Sequence, residues 1–407
     1  MKLNSIKRYG KILTDTTKRV MFGVDLQPNI RHMAFELTNL CNSKCEMCHI
    51  WANKDDSNIL STDDIRSIFS DKSLRGIEDV LLTGGEMYMR DDIPEIIRII
   101  NSNNPETRIF TSTNGLLYEK ILENAEESAK DGIVVNYGIS IDALGDKHDQ
   151  RRRAPGNFEI IDKKIIPGLK SLQKKYPNAI TLTVGQCMDN FGLDNFEDVR
   201  EYCENKDITF MSQMIEDFDY YVAEKKRDRK TSGWEHMLET KNGTEGKNRL
   251  LRKNAYGTLD KRYSTAIKKL MPTVHHFRLL TMLKGQDLRY ECSSMRNFFL
   301  LRYDGKVTPC LRFADWEVGD LKKNTLKEIF LTKNYKDSVQ AVLQCDGCLN
   351  TWCTDWSMEM NAVPFRKEVL KWLFIKIFHY KKHKKKYISE NNTKSGSIEV
   401  TNIKNIN

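Results

Sequence analysis

The chain has 407 residues, of which 40% are hydrophobic and 30% are charged, and this composition excludes a wholly disordered or collagen-like protein. It contains neither a run of eighteen apolar residues nor an apolar N-terminal segment, so we expect no membrane span and no secretory signal. The net charge is +9, but residues 365–407 hold eleven Lys/Arg against three Glu. The rest of the chain is therefore near neutral, which disfavours a nucleic-acid-binding protein.

Six short apolar runs alternate with amphipathic stretches between residues 31 and 215, after a lead-in over residues 1–30. Strands separated by helices predict an α/β fold with a parallel sheet and right-handed crossovers. Ser61 is expected to cap one of the helices, because acidic residues follow it in the first turn. The candidate strands are residues 32–37, 79–85, 108–115, 133–142, 179–185 and 207–212.

Six such units favour an incomplete (β/α)6 TIM-like barrel, and a flat doubly wound sheet is the alternative. In either fold the chemistry belongs at the C-terminal ends of the strands. Residues 216–290 predict a helical insert or linker, and residues 291–360 predict a small cysteine-rich domain.

Residues 361–387 predict a basic amphipathic helix, and residues 388–407 a polar, disordered tail. Aromatic and aliphatic residues recur at helical spacing in the helix, and five lysines follow them. Such a helix either lies in an anionic membrane interface or docks on the barrel with a solvated basic end. The first interpretation predicts peripheral membrane contact and a lipid-linked substrate.

Ten cysteines in a chain without a secretory signal predict metal or cluster ligands rather than disulfides. Cys41, Cys45 and Cys48 follow the first strand at C-x3-C-x2-C spacing. Three thiolates on one loop suit three irons of a [4Fe–4S] cube whose fourth iron stays open to a chelating small molecule. Structural zinc is the alternative, but it requires a fourth ligand, and His49 is adjacent to Cys48.

The cysteine loop resembles that of the radical S-adenosylmethionine (radical SAM) superfamily. Gly84-Gly85-Glu86 matches the family's GGE motif, in which the glycines allow close approach of the ligand and the carboxylate accepts a cationic amino group. Ser140 and Asp142 resemble its S-x-D pair, and residues 148–152 (HDQRR) resemble its HDxxR stretch. The resemblance implies SAM contacts for Gly84, Gly85, Glu86, Asn114, Ser140 and Asp142. From the HDQRR stretch it pairs Arg152 with the methionyl carboxylate.

The resemblance also implies the chemistry. A reduced cluster would pass one electron to SAM, and the 5′-deoxyadenosyl radical would take a hydrogen atom from the substrate. Two positions depart from the family pattern, since Met47 stands where many members carry an aromatic residue and Arg153 where many carry glycine. Neither departure removes a ligand.

A second cysteine group resembles the Twitch domain, a shortened relative of the SPASM domain. By that resemblance Cys292, Cys310, Cys345 and Cys348 hold one auxiliary [4Fe–4S] cluster. Cys353 either replaces one of them or packs beside the nearby tryptophans, and a four-thiolate zinc knot is the alternative for the whole group. Residues 297–310 predict a β-hairpin with its turn at Asp304-Gly305.

These features predict a radical SAM oxidoreductase that dehydrogenates or rearranges a small molecule, a sugar or a lipid-linked substrate. A peptide maturase is an alternative within the family, and a non-catalytic iron–sulfur electron carrier or a zinc protein is an alternative outside it. We expect a flavodoxin- or ferredoxin-type reductant, no nucleic-acid partner, and a cytoplasmic location with peripheral contact at the inner membrane face if the basic helix binds lipid.

Overall fold

The computed structural model describes residues 28–52, 56–214, 292–314 and 316–343. Within these residues nine strands form one sheet in the order β6-β5-β4-β3-β2-β1-β7-β8-β9. The strands are β1 His32–Thr38, β2 Asp79–Gly84, β3 Arg108–Thr113, β4 Val135–Ser140, β5 Ile180–Met188, β6 Thr209–Met214, β7 Phe298–Leu301, β8 Lys306–Thr308 and β9 Gly319–Asp320. The α-helices are α1 Thr62–Phe69, α2 Ile93–Asn103, α3 Tyr118–Lys130, α4 Asp146–Arg152, α5 Asn157–Ile160, α6 Ile166–Lys175, α7 Asn190–Asn205, α8 Leu326–Leu331 and α9 Lys333–Leu343, with a π-helical turn over Ile161–Ile165 between α5 and α6.

Strands β1 to β6 are parallel and lie side by side in chain order, with at least one helix between consecutive strands. A doubly wound sheet would instead reverse its strand order at a switch point. The predicted incomplete barrel is therefore confirmed, and the flat alternative is wrong. All six C-terminal strand ends lie at one rim, where the predicted site residues follow them.

Alternate side chains of a barrel strand face the helices and the lumen, and β4 shows this division clearly. Val135, Tyr137 and Ile139 are buried in the core between sheet and helices, whereas the inward residues Asn136 and Ser140 are half-exposed. The helices match this pattern, since α2 buries isoleucines three and four residues apart.

The predicted cap at Ser61 is confirmed. The Ser61 side chain accepts from the backbone N–H of Asp64, and the Asp64 carboxylate accepts from the backbone N–H of Ser61. This reciprocal pair satisfies two N–H groups that the first turn of α1 leaves without helical partners.

The predicted hairpin is also confirmed, because β7 pairs antiparallel with β8 and Gly305 lies in the left-handed region at φ 87°. Strand β7 additionally pairs in parallel with β1, Phe298 lying opposite His32. The first hairpin of the cysteine-rich segment therefore continues the barrel sheet directly.

A small apolar cluster lines the inner face of the sheet where β7 joins it. Leu81 and Phe298 are buried there, and Ala34, Phe110 and Cys292 pack against them. In register, Leu81 lies opposite both Ala34 and Phe110, so the cluster spans neighbouring strands. Cys292 consequently lies against the lumen wall.

Several predictions concern residues outside the described ranges. These are the lead-in up to residue 27, the insert over 216–290, the basic helix, the tail, and Cys345, Cys348 and Cys353. Among the helices that the structure describes, none is long and apolar enough to cross a bilayer.

Candidate functional site

The cysteine loop leaves the end of β1 and lies directly on the end of β2. The backbone N–H of Gly85 donates to the Thr38 carbonyl at 2.8 Å, and that of Glu86 donates to the Leu40 carbonyl at 2.8 Å. A Cβ on Gly85 would lie 1.8 Å from the Leu40 oxygen, and one on Gly84 would lie 2.2 Å from the Thr38 oxygen. The two glycines therefore allow the end of β2 to pack closely against the backbone of Thr38 and Leu40, just before Cys41.

The three cysteines of the loop differ in exposure. Cys45 is buried, while Cys41 and Cys48 are half-buried. Burial raises the pKa of the Cys41 thiol to about 11 and also raises that of Cys48. The protein alone therefore favours protonated thiols, and the positive charge of bound iron is what would hold them as thiolates.

The donor set fits an iron–sulfur cube better than a single ion. Within the described residues, no three His, Cys, Asp or Glu side chains gather where they would ligate one metal ion. A cube distributes its thiolates over different irons, whereas structural zinc requires four ligands around one point. His49, the fourth ligand of the zinc alternative, is exposed, and its ring centroid lies 6.2 Å from that of Trp51.

Glu86 joins the ends of β2 and β3. Its carboxylate accepts from the Thr113 hydroxyl and the Asn114 backbone N–H, both at 2.8 Å, and from the Tyr88 backbone N–H at 3.3 Å. Burial raises the pKa of Glu86 to about 7, although these hydrogen bonds act in the opposite direction. The carboxylate is engaged with the protein, and its contact with an amino group of SAM stays a prediction.

Asp142 and Arg152 form a buried ion pair beside Cys45. The Arg152 Nε donates to Asp142 Oδ2 at 2.7 Å, and its Nη1 lies 4.0 Å from Cys45 Sγ. The pair holds the pKa of Asp142 below its ordinary value despite burial, so the carboxylate stays ionised. Ser43 completes this corner, because its hydroxyl donates to the Arg152 carbonyl at 2.9 Å and lies 3.1 Å from Cys45 Sγ.

Asn114 contacts the side of the cysteine loop that carries Cys41. Its Nδ2 donates to Asn42 Oδ1 at 2.8 Å and lies 3.9 Å from Cys41 Sγ. The backbone carbonyl of Asn114 accepts from Asn157 Nδ2 at 3.1 Å. Asn114 therefore connects the cysteine loop with the first residue of α5.

His148 connects the two sides. The backbone N–H of Asp142 donates to His148 Nδ1 at 3.1 Å, and His148 Nε2 lies 2.9 Å from Asn157 Oδ1. Because Nδ1 accepts, the proton resides on Nε2, which donates to Asn157. Burial and the nearby Arg152 lower the pKa of His148 to about 4, which keeps the ring neutral.

The turn between α4 and α5 places Asn157 for this contact. The Asp149 carboxylate accepts from the backbone N–H groups of Gly156 and Phe158, at 2.6 and 2.8 Å. Arg153 takes the left-handed conformation at the end of α4, with φ 48°. The HDQRR stretch thus organises its own helix end as well as the cysteine loop.

Arg151 provides a further connection that the sequence did not reveal. It forms ion pairs with Glu46 of the cysteine loop and with Asp189 after β5, and it lies over the Phe191 ring at 5.1 Å. The resemblance assigned a role to Arg152 among three successive arginines, and no motif position marked Arg151.

The structure brings the predicted SAM-site residues together at the C-terminal rim. Ser140 is half-exposed at the inner end of β4, while Glu86, Asn114, Asp142 and Arg152 are buried behind the loop. His148 and Asn157, which the sequence did not single out as site residues, are fully buried between them.

Of the predicted auxiliary ligands, Cys292 and Cys310 lie in the described residues. The Ser294 hydroxyl donates to the Pro309 carbonyl at 2.5 Å and joins the two segments that carry these cysteines. Arg296 Nη2 donates to the Cys292 carbonyl at 2.7 Å. These contacts hold both cysteine segments in place.

Two family models match the chain. One, described as the radical SAM superfamily, matches residues 35–203, and the other, described as an iron–sulfur cluster-binding domain (SPASM), matches residues 292–354. The chain is similar to a probable GTP 3′,8-cyclase of Methanococcus aeolicus, with 26% identity over 289 residues that cover 69% of this chain and 85% of that protein. It is also similar to the sporulation killing factor maturation protein SkfB of Bacillus subtilis, with 27% identity over 170 residues, 42% of this chain and 38% of that protein.

Solved structures share the fold. The native anSMEcpe structure with bound AdoMet and Cp18Cys peptide aligns with a TM-score of 0.54 at 16% identity, over 84% of this chain and 99% of that chain. Streptococcus suis SuiB bound to the precursor peptide SuiA aligns with a TM-score of 0.52 at 13% identity, over 83% of this chain and 71% of that chain.

Proposed function

We propose that this protein carries out a two-electron oxidation of a substrate that is held in the barrel lumen. The premise is that the chain belongs to the radical SAM superfamily and carries a C-terminal SPASM domain. Its cofactors are S-adenosylmethionine, a [4Fe–4S] cluster and auxiliary iron–sulfur centres. When bound, the reduced cluster supplies the electron that splits SAM into methionine and the hydrogen-abstracting 5′-deoxyadenosyl radical.

In this proposal the described residues bind and orient the two small cofactors. Cys41, Cys45 and Cys48 ligate the SAM-binding cluster. Arg152 uses its Nε for Asp142 and retains further N–H donors for the methionyl carboxylate. The remaining SAM contacts are Gly84, Gly85, Glu86, Asn114, Ser140 and Asp142, and the ligands of a single auxiliary [4Fe–4S] cluster are Cys292, Cys310, Cys345 and Cys348.

The observation that carries the oxidative assignment is the position of Cys292. It packs against the buried cluster of Leu81 and Phe298 on the inner face of the barrel, so one auxiliary ligand borders the lumen. A substrate radical formed in the lumen would then lie beside an electron acceptor. The substrate would lose one hydrogen atom to the nucleoside, one electron to the auxiliary centre and one proton, which together form a two-electron oxidation.

The test follows deuterium into the nucleoside. Reconstituted, reduced enzyme is incubated anaerobically with SAM and with small-molecule, lipid or peptide fractions of deuterium-grown cells of the source organism. We expect one fraction to yield deuterated 5′-deoxyadenosine and a product lighter by two hydrogens. Nucleoside without deuterium from every fraction would contradict hydrogen abstraction, and a product of unchanged mass would contradict oxidation.

Peptide modification is the second candidate, and the lumen wall favours it. Asn136 Nδ2 donates to the hydroxyls of Thr181 and Thr183, at 2.8 and 3.0 Å, and this forms a neutral stripe of amide and hydroxyl groups suited to peptide amides. SkfB is named as a maturation protein, and the SuiB structure contains a precursor peptide. Deuterium transfer from the peptide fraction would select this candidate, whereas turnover of added GTP would select the activity named for the archaeal relatives.

The remaining partner assignments are also proposals. A flavodoxin- or ferredoxin-type protein would supply the electron in the cell. A lipid-linked substrate at the cytoplasmic face depends on residues 361–387, which lie outside the described residues. Activity in the lipid fraction of the same assay would support that substrate class.

A further inference from the structure

Two of the three loop sulfurs each face an N–H donor from outside the loop. The Asn114 amide faces Cys41 Sγ, and the Arg152 guanidinium faces Cys45 Sγ. Both donors are buried, so water screens neither contact strongly. Hydrogen bonds to the sulfurs of an iron–sulfur cluster are among the factors that set its reduction potential, because they stabilise the more negative, reduced state.

A single series of polar contacts links Asn114 and Arg152, the residues that carry the two donors. Going outward from Cys41, the contacts pass through Asn114 to Asn157 and His148. From His148 they return through Asp142 and Arg152 to Cys45. The contacts run from Cys41 to Cys45, and the stretch of the cysteine loop between these two residues closes them into a ring.

The hydrogen bonds between Asp142 and Asn114 all run in the same sense, each residue donating to the next. His148 accepts through Nδ1 and donates through Nε2, while Asn157 accepts from His148 and donates to the backbone carbonyl of Asn114. Both side chains are fully buried, so each removed partner would leave a buried polar group without a replacement from water. The two residues therefore tie the backbone carbonyl of Asn114 to the backbone N–H of Asp142.

We propose that His148 and Asn157 are positioning residues that hold the Asn114 amide on Cys41 and the Arg152 guanidinium on Cys45, and that these two donors raise the reduction potential of the SAM-binding cluster. The inference rests on the ligand assignment made in the proposed function. It goes beyond that assignment because it gives Asn114 and Arg152 a role toward the cluster before SAM binds.

The experiment is a redox titration of the SAM-free cluster, followed by electron paramagnetic resonance (EPR), on the full-length reconstituted protein. His148→Leu removes the acceptor and the donor at similar volume, and His148→Gln keeps one of each. We expect His148→Leu to shift the midpoint to more negative potential, so that the reduced fraction at the wild-type midpoint falls several-fold. His148→Gln is expected to restore most of the wild-type value.

Asn114→Leu removes the amide that faces Cys41. It tests whether this donor raises the reduction potential even if His148→Leu fails to retain its cluster. It should shift the midpoint of the SAM-free cluster in the same direction. The matched control is Asn104→Leu, which removes an amide that donates to the Ile77 carbonyl away from the cysteine loop, and it should leave the potential unchanged.

Unchanged potentials in iron-loaded His148→Leu and Asn114→Leu would overturn the inference. If Asn114→Leu then weakened only the binding of SAM, Asn114 would be a SAM contact alone. Failure of the wild-type protein to bind a cluster or to cleave SAM would instead overturn the proposed function, so the two failures are distinguishable.

Discussion

Replacement of Cys45 by alanine is expected to abolish formation of 5′-deoxyadenosine. Cys45 is the buried member of the three loop cysteines, and the Arg152 guanidinium and the Ser43 hydroxyl both face its sulfur. With two thiolates left, the loop lacks a ligand for the third iron. The measurement is chromatographic quantification of the nucleoside after anaerobic reconstitution with iron, sulfide, reductant and SAM.

The control for this prediction is Cys203→Ala. Cys203 is also buried, but it packs in the apolar core on α7. This variant removes a cysteine without touching the loop and should retain nucleoside formation. Wild-type nucleoside formation by Cys45→Ala would show that Cys45 is not a ligand of the catalytic cluster.

Gly85→Ala is expected to destabilise the protein strongly and to displace the cysteine loop. The added Cβ would lie 1.8 Å from the Leu40 carbonyl oxygen and 2.5 Å from its carbon, and backbone atoms have little freedom to move away. Overpacking of this kind typically costs about 1–3 kcal/mol and occasionally more, so we expect at least about 3 kcal/mol here. Thermal unfolding of the as-isolated protein and its iron content after reconstitution measure the two effects.

Gly185→Ala provides the matched control. Gly185 lies in β5, and a Cβ at this position meets no atom within 4 Å. This variant should unfold near the wild-type temperature and bind the same amount of iron. If Gly85→Ala behaved in the same way, the tight packing of β2 against the cysteine loop would not be a requirement of the site.

The barrel strands could be predicted from the sequence because their patterns are local. Residues 32–37 and 79–85 were expected as strands, and they correspond to His32–Thr38 and Asp79–Gly84. The strand ends were less certain, since β5 extends through Met188 although its apolar run weakens after residue 185. Because helices separate the strands along the chain, the sequence also favoured a sheet in which consecutive strands are parallel neighbours.

The pairing of β7 with β1 could not be predicted. Phe298 lies opposite His32, and more than two hundred residues separate them in the chain. The sequence of β7, FFLL, indicates only a buried strand, because every residue is apolar and no alternation marks a face. Its edge in the sheet is decided by tertiary packing.

The polar ring was also only partly visible. The cysteine spacing and the residues after each strand indicated which side chains gather at the rim. The contact between His148 and Asn157, however, joins the start of one helix to the interior of another through a turn whose geometry depends on Asp149. The role of the glycine pair likewise required the backbone of Leu40 to be located.

The central claim is that three thiolates leave one iron open for SAM. The most direct measurement is electron–nuclear double resonance on the reduced cluster with SAM labelled by ¹⁵N in its methionyl amino group. We expect a ¹⁵N hyperfine coupling that appears with the labelled compound, is absent with unlabelled SAM, and is accompanied by a change in the EPR spectrum. An unchanged spectrum without ¹⁵N coupling, in protein that contains a complete cluster, would mean that a fourth protein ligand closes the site and would contradict the account.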